Sequence, residues 1–512
     1  MIKKNDFINF RKIISMINLI VAVTTCKNKL AIGRNGNLLF KLKNDLLFFK
    51  NITMNSLSKD SKLEKNIVLM GRKTYFSIPQ KFRPLSGRIN LVLTRDTELI
   101  KISPVPKSLK LSKELYYTDL KTFNKIYAKY NPNVFVMGGS ELYNLFMNKA
   151  DKLYITHVQD TQGKNVKFTD EQEPDTFIEH FTSYYRLTGY SEKYIEQNLS
   201  YRILYYNKST KISDEYKYLN LMKNILTFGN VRDDRTGTGT ISQLGTQIRF
   251  DISKGILPLL TTKQVPLKAI VEELLFFCRG DTDTKILHRN NVKIWDGNTS
   301  RKFLDNRNLQ DYPEGCMGPM YGWSWRNFGA KYSPTFSDMS KCDSSSIGGF
   351  DQLSHVEHLL KTDPFSRRIY ISNLNPAESS NMCLDMCHTY IQFYVEEINN
   401  IKYLSAYFSM RSSDCFLASV SFNTISYSLL VYILALRCGM KPKEIVYNAV
   451  DCHIYKNHID QVKEQLTRTP RPFPNIKLDE SLKNKDWSEM QFSDFELIGY
   501  FPYTSIKAPM AI

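Results

Sequence analysis

The chain has 512 residues, 42% hydrophobic and 23% charged, with a formal net charge of +18. These proportions are close to globular averages and exclude a mainly disordered chain; at about 150 residues per domain the length suits two large domains or three smaller ones. The charge points to anionic partners, whether nucleic acid, a membrane surface or small phosphates and carboxylates, without choosing among them.

Along the chain, Lys3, Lys4, Arg11 and Lys12 precede an apolar stretch, Ile13–Val23. It superficially resembles a signal peptide, but no small-residue cleavage site follows cleanly. The pattern predicts instead a buried first strand over Ile17–Val23, with residues 1–16 as an extension and Met16 as an alternative start. A helix is predicted over Lys43–Met54, then strands at Ile67–Met70, Ile89–Leu93, Val134–Met137, Leu153–Val158 and Tyr201–Tyr206, with a helix after Gly138-Gly139. Strands alternating with helices predict an α/β domain over residues 17–207 with a mixed, mostly parallel sheet. The polar stretch Asn207–Ser213 contains a short linker, residues 208–213. A second domain, residues 214–512, opens with helical periodicity at Glu215–Leu226. It has long apolar helices at Leu267–Phe277 and Asn423–Cys438 between strand-like segments, an α+β pattern. Tyr332–Gly349 is rich in Ser, Asp and Gly and is predicted to be a surface loop. No apolar run reaches transmembrane length. Nine cysteines, an odd number without CxxC or zinc-ligand spacing, read as reduced thiols in a cytoplasmic setting with no metal site.

Three strand ends in the first domain carry phosphate-type signals. Gly71-Arg-Lys-Thr74 opens a helix after a strand, Thr94-Arg95 follows the next, and Gly138-Gly139-Ser140 follows a third. Helix-start N–H groups favour anions, glycines admit close backbone approach, and ligands of open α/β sheets sit at the carboxyl ends of strands. Each signal alone is weak; together they favour a dinucleotide.

Residues 17–206 resemble dihydrofolate reductase. The resemblance rests on Val21-Ala22-Val23, Ile32-Gly-Arg-Asn-Gly36, Met70-Gly-Arg-Lys-Thr74, Phe76-Ser-Ile-Pro79, Arg83-Pro-Leu-Ser-Gly-Arg-Ile-Asn-Leu-Val-Leu93 and Met137-Gly-Gly-Ser140, in that order. It implies NADPH as hydride donor and dihydrofolate as acceptor. Asp45 then pairs with the pterin; without the resemblance it would be a helix-surface carboxylate. Thr156 hydrogen-bonds that acid, Arg88 holds the folate carboxylate, and Leu46, Phe49, Ile78 and Leu85 wall the pocket. Gly71, Arg72, Lys73, Thr74, Thr94 and Arg95 meet NADPH, as do Gly138, Gly139 and Ser140, with Ala22, Ile32 and Tyr143 completing its site.

In the second half the chemistry centres on Cys387-His388. A cysteine is commonly a buried inert thiol, and a thiolate nucleophile needs an electropositive surrounding. Arg235, the Arg367-Arg368 pair and Arg411-Ser412 supply more cations than one thiolate requires, which suggests a phosphate site beside it.

That combination resembles thymidylate synthase over residues 215–512. The motifs are Asp233-Asp-Arg-Thr-Gly-Thr-Gly-Thr240, Pro258-Leu-Leu-Thr-Thr-Lys263, Glu272-Glu-Leu-Leu275, Lys293-Ile-Trp-Asp296, Gly318–Trp325, Gln392-Phe-Tyr394, His453-Ile-Tyr455, Pro470-Arg-Pro-Phe-Pro474 and the terminal Met510-Ala-Ile512. The resemblance implies that Cys387 attacks C6 of dUMP and that 5,10-methylenetetrahydrofolate supplies the carbon. Arg235, Arg411 and Ser412 bind the phosphate; Arg367 and Arg368 reach it from the partner subunit of a homodimer. Gln392, His453 and Tyr455 also bind dUMP, and Asn423 selects uracil. Glu273 handles protons through water, Tyr321 and His388 line the thiol, and Asp414, Trp295 and Asn298 face the folate. Taken singly, Glu273 would be a plain helix carboxylate, Trp295 core and His453 a satisfied buried histidine.

The order reductase, short linker, synthase resembles the bifunctional folate enzymes of protists and plants. Its anionic ligands suit a basic chain. Two other readings were weighed: an active reductase joined to a weakened or silent synthase that serves as a dimerisation scaffold, and a basic RNA-binding side role. No nucleic-acid motif supports the latter, and the basic residues are scattered. The scaffold reading draws on departures from the synthase pattern. Leu384-Asp385-Met386 stands where the family has Leu-Pro-Pro, Leu374 replaces a Trp, and one extra residue lies between Asp414 and Asn423, near Ser419. Asp385 should raise the thiol pKa, so a Pro-Pro replacement of Asp385-Met386 is expected to increase turnover.

In the reductase half, Leu38-Leu39-Phe40 replaces Leu-Pro-Trp. Phe40 lacks the indole N–H that helps hold a pocket water. A hydrogen bond contributes about 1 kcal/mol, so Phe40→Trp should raise kcat/KM for dihydrofolate up to about fivefold in a steady-state NADPH-oxidation assay.

Overall fold

The computed structural model describes residues 16–55, 61–342 and 347–510. Most of the predicted extension, residues 1–15, and the end of the terminal motif, residues 511–512, lie outside the described residues, as does 343–346. The chain divides into two compact units, Met1–Ile212 and Ser213–Ile512.

The first unit is built on one sheet. Its main path runs Tyr185–Tyr190, Leu199–Lys208, Lys152–Asp160, Ile17–Cys26, Val134–Val136, Ile67–Gly71, Ile89–Leu93, Leu115–Thr118. Pairing is parallel from Lys152–Asp160 through Leu115–Thr118 and antiparallel at the Leu199–Lys208 side. Strands covered on both faces read as continuous apolar runs. Ile67, Val68, Leu69 and Met70 are such a run, each fully buried. The predicted helix at Lys43 appears as Lys43–Asn55, and the helix after the paired glycines as Ser140–Phe146. This is the expected mixed, mostly parallel α/β fold. It places Gly71, Leu93 and Val136 at the carboxyl ends of three neighbouring strands.

The second unit has a six-stranded sheet in the order Asn230–Arg232, Thr240–Asp251, Lys441–Tyr455, Ile401–Asp414, His388–Ile398, Tyr370–Ser372. All pairs are antiparallel except Ile401–Asp414 with Lys441–Tyr455. The Thr424–Arg437 helix packs on the Ile401–Asp414 and Lys441–Tyr455 strands and touches the Leu267–Arg279 helix, and the Glu215–Phe228 helix packs on Thr240–Asp251 and Lys441–Tyr455. The stretch Val420–Arg437 is long and apolar enough to cross a membrane by length and composition alone, but 83% of it is buried inside this unit. It is the core helix of an α+β domain.

Tyr332–Gly349 also differs from a plain surface loop. Ser337 and Asp338 are buried, and Ser337 O accepts from the N–H groups of Thr282 and Asp283 at 2.8 and 2.9 Å. A polar composition marks irregular backbone; here long-range partners satisfy that backbone inside the fold.

The start of this unit is fixed by one buried carboxylate. Glu215 begins the Glu215–Phe228 helix and accepts from the N–H groups of Thr261 and Thr262 at 2.9 and 2.8 Å, and from their hydroxyls at 2.6 and 2.7 Å. Glu215→Ala strands those donors. Each buried unsatisfied donor costs ~1–3 kcal/mol, so the second unit should lose about 3 kcal/mol, read as a fall in its urea midpoint at unchanged slope.

Candidate functional site

In the first unit the Lys43–Asn55 helix delivers Asp45 in its first turn. Asp45 Oδ1 accepts from Thr156 Oγ1 at 2.5 Å. Thr156 lies on the strand beside Ile17–Cys26, opposite Ala22. Burial raises the Asp45 carboxyl above the usual range, and the Thr156 hydrogen bond opposes that rise. Burial also raises the Tyr143 phenol, with the Asp45 charge as a second cause; its hydroxyl donates to Ile20 O at 2.8 Å. On the same helix Leu46 is exposed and Phe49 half-buried. Ile78 and Leu85 pack together against the Val68–Phe135 core, and Ile32 lies on the Lys29–Arg34 strand. Arg88 is buried: it donates from Nη1 to Thr53 Oγ1 at 2.8 Å and from Nε to Ser86 O at 3.1 Å. Its guanidinium lies 5.7 Å from the Phe49 ring centroid. Phe40 packs with Leu42, Val158 and Tyr201.

The strand ends form a second cluster. Gly71 N donates to Gly138 O at 2.8 Å, so two of the glycine-bearing ends touch. Gly138 has φ +128°, and a Cβ there would stand 3.3 Å from Thr74 Cγ2; at Gly139 it would stand 3.1 Å from Thr74 Oγ1. This backbone is open to a close-lying ligand only as glycine. Around it Arg72 pairs with Asp96 at 3.1 Å, Arg95 faces Glu141 at 3.8 Å, Lys73 is exposed, and Thr94 Oγ1 accepts from Asp96 N at 3.0 Å. Ser140 starts the following helix. Exposed cations around a glycine cradle fit the phosphates of a dinucleotide.

In the second unit Cys387 precedes the His388–Ile398 strand. Its N–H donates to Tyr321 Oη at 3.0 Å, and Arg411 Nη2 lies 3.8 Å from Sγ. Arg411 donates through Nε to Met386 O at 2.9 Å and through Nη2 to Asp385 O at 2.7 Å. Burial pushes the Cys387 thiol up; Arg411 and then Arg235 oppose it, and Asp385 adds a smaller upward push. Arg235 stands on a turn folded around Asp234, which accepts from Thr236 N at 3.0 Å and Gly239 N at 2.7 Å. His388 is buried, pairs with Tyr427 Oη at 2.9 Å, and is pushed down to about 3 by burial, so it is neutral. Its ring lies 4.7 Å from that of Tyr321. Glu273 is buried on the Leu267–Arg279 helix and accepts from Trp295 Nε1 at 2.8 Å. Burial pushes it up to about 7, against the indole hydrogen bond. Asn298 is buried in the turn that follows Trp295.

Asp414 and Ser412 stand opposite His453 and Asp451 on paired strands. His453 Nδ1 bonds Asp451 at 3.1 Å, and its ring meets that of Tyr455 at 5.1 Å. Asp414 accepts from Phe416 N at 2.9 Å and Leu417 N at 3.2 Å. The extra residue is taken up in a π turn, Ser419–Asn423, where Asn423 N donates to Ala418 O at 3.3 Å. A π turn absorbs one inserted residue, so Asn423 still reaches the His388 side chain. Arg367, Arg368 and Gln392 stand apart. Both arginines are exposed; Gln392 donates to Arg367 O at 2.9 Å and accepts from Tyr390 Oη at 2.5 Å. Among the described residues, no hydrogen bond ties these three to the thiol.

Several partners escaped the sequence reading: Thr53 behind Arg88, Tyr427 behind His388, Asp451 behind His453 and Lys263 beneath the Asp414 turn. Lys263 donates to Phe416 O and lies 3.8 Å from that ring centroid, and burial pushes it down to about 8. It closes a quoted motif, Pro258–Lys263, so its signal was present; the others lack a local one.

The first unit is thus a nucleotide-binding α/β reductase fold with a buried acid, and the second a domain with a cysteine between arginines. Among the described residues no group of three or more His, Cys, Asp or Glu is placed to hold a metal. The family model for dihydrofolate reductase matches residues 16–206, and that for thymidylate synthase matches residues 216–512. A bifunctional dihydrofolate reductase-thymidylate synthase 2 of Arabidopsis thaliana is 36% identical, over 97% of this chain and 89% of its own length. The bifunctional enzyme of Leishmania major is 34% identical, over 94% of this chain and 93% of its own.

The chain belongs to the bifunctional dihydrofolate reductase–thymidylate synthase family. It carries both activities, with NADPH and 5,10-methylenetetrahydrofolate as cofactor and co-substrate.

Replacing Trp295 by Phe removes the donor that favours ionised Glu273. A hydrogen bond to a charged group contributes ~1.5 kcal/mol, so the limb of the kcat–pH profile for dTMP formation that reports Glu273 should move up by about one pH unit.

Proposed function

We propose that each activity rests on the residues assembled above. In the reductase unit, Asp45 holds the pterin and favours its protonated form, with Thr156 fixing the carboxylate. Arg88 meets the folate carboxylate, and Leu46, Phe49, Ile78 and Leu85 enclose the rest. NADPH supplies the hydride. Arg72, Lys73, Thr74, Thr94 and Arg95 hold its phosphates, and Gly71, Gly138, Gly139 and Ser140 let it approach, beside Ala22, Ile32 and Tyr143.

In the synthase unit, Cys387 Sγ adds to C6 of dUMP, which makes C5 nucleophilic toward the methylene carbon of the folate. Arg235, Arg411 and Ser412 hold the phosphate, His453 and Tyr455 the sugar, and Asn423 the base. Glu273 moves protons through water; Trp295, Asn298 and Asp414 face the folate. The observation that carries this reading is Arg411, held by main-chain oxygens 3.8 Å from the Cys387 sulfur, with Arg235 acting on the same thiol. An ion-paired thiolate is the nucleophilic form. Cys387→Ser should lower dTMP formation by about 10⁴-fold or more while dihydrofolate reduction continues, followed by chromatography of dUMP, methylenetetrahydrofolate and NADPH mixtures. Loss of both activities, or of neither, would refute the assignment.

We further propose a homodimer through the synthase sheet, working in a cytoplasmic compartment that keeps all nine cysteines reduced. Two features support the dimer. Leu244, Tyr394 and Val450, on three strands of the sheet, are exposed, as are Arg367 and Arg368. Exposed apolar side chains on a sheet suit an interface. Mixing inactive Cys387→Ser subunits with Arg367→Ala/Arg368→Ala subunits should restore up to about a quarter of synthase activity after subunit exchange. No recovery in mixtures shown by sedimentation to be dimeric would reject the shared site.

A further inference from the structure

The Asp385 side chain does not face the thiol as its sequence position suggests. Its carboxylate accepts a hydrogen bond from Ser379 Oγ, and its other oxygen lies 3.8 Å from Arg307 Nη2. Arg307 also donates to Ser379 O at 3.0 Å and to Met382 O at 3.3 Å, so it binds the segment that leads to Cys387 at two further points. The main chain of the same turn then holds Arg411, through Asp385 O and Met386 O, and Arg411 N donates back to Cys387 O at 2.9 Å. Met386 Sδ meanwhile accepts from Tyr321 N at 3.2 Å. A continuous set of bonds thus runs from Arg307 and Ser379 through Asp385 to Arg411 and the thiol.

We propose that Asp385 is a positioning residue for the synthase reaction: with Ser379 and Arg307 it latches the turn before Cys387, so that the turn's carbonyls aim Arg411 at the sulfur. The inference rests on Cys387 being the nucleophile. The latch replaces, by side-chain bonds, the rigidity that two prolines would give the turn. Arg307 also offsets the negative charge that Asp385 brings. The charged and titratable groups that act on Cys387 are Arg411, Arg235, Asp385, Tyr321 and Tyr455. Of these, Asp385 turns its carboxylate to Ser379 and a further cation, Arg307. The expectation that Pro-Pro at 385–386 raises turnover is therefore reversed: that exchange discards the partner of both Ser379 and Arg307.

The test separates a latch from a mere suppressing charge. The full chain is treated with iodoacetamide across pH, and alkylation of the Cys387 peptide is followed by mass spectrometry, alongside kcat and KM for dUMP. For a latch, Asp385→Ala and Ser379→Ala each slow Cys387 alkylation at pH 7, shift its pH profile upward and lower kcat/KM about tenfold. Asp385→Asn, which keeps an acceptor for Ser379, recovers much of the loss. Ser379→Ala carries the test if Asp385→Ala fails to fold, because it deletes one hydroxyl and leaves the charge. Faster alkylation in both Asp385→Ala and Asp385→Asn, with Ser379→Ala unchanged, would overturn the proposal. If Cys387→Ser retains synthase activity, the nucleophile assignment fails instead, and the alkylation profiles still report the latch.

Discussion

The Cys387 sulfur sits where burial disfavours its ionised form, so its chemistry depends on keeping a guanidinium beside it. Much of the second unit is arranged to do that. Arg411 lies on a long central strand, and its own side chain is tied back to the turn that carries the thiol. The strand is parallel to Lys441–Tyr455 at this point, which sets Ser412 against Asp451 and Asp414 against His453. One pairing register thus brings Ser412, His453 and Asp414, the residues proposed for phosphate, sugar and folate, to a common end of the sheet. A one-residue slip would turn each of them to the other face.

That dependence explains how the unit tolerates an added residue close to its centre. An extra residue in a regular helix would rotate everything after it by about 100°. In the π turn Ser419–Asn423 the surplus is confined to one widened loop of backbone. Ser421 is buried and donates to Leu417 O at 2.9 Å, inside that turn. Lys263 holds Phe416 O from below, and Asp414 holds the N–H groups of Phe416 and Leu417 from the strand side. The segment between Asp414 and Asn423 is therefore fixed at both ends, and Asn423 keeps its place at the head of the core helix.

Much of this was legible in the sequence. Ile89–Leu93 begins and ends where the apolar run predicts, and the helices at Lys43, Glu215 and Leu267 start at the predicted residues. Periodicity and turn residues are local signals, and these elements obey them. What was hidden is non-local. Asp385 looks harmful two residues from the proposed nucleophile, because nothing in the sequence says that Arg307, several helices and a strand earlier in the chain, will meet it. The Tyr332–Gly349 segment looks exposed because its composition is polar, whereas Asp281, Thr282 and Asp283 draw part of it into the fold. Val420–Arg437 shows the converse dependence on neighbours. Its hydropathy passes for a membrane span, and only its neighbours make it a core helix.

The two units share one electrostatic device. Asp45 and Glu273 are both buried carboxylates, both raised by burial, and each is restrained by a single neutral donor, a threonine hydroxyl in one and an indole N–H in the other. A lone neutral donor steadies a carboxylate without ionising it outright, as an arginine would. It also leaves the second oxygen for a ligand. The roles proposed for them need a carboxyl that can lose and regain a proton, and burial with one weak partner raises both carboxyls in that direction. The thiol proposed as nucleophile needs the opposite, full ionisation at the moment of attack, and of these three groups it is the one on which arginines act. The choice of partner, neutral for the acids and charged for the nucleophile, thus divides proton handling from bond formation across both halves of the chain.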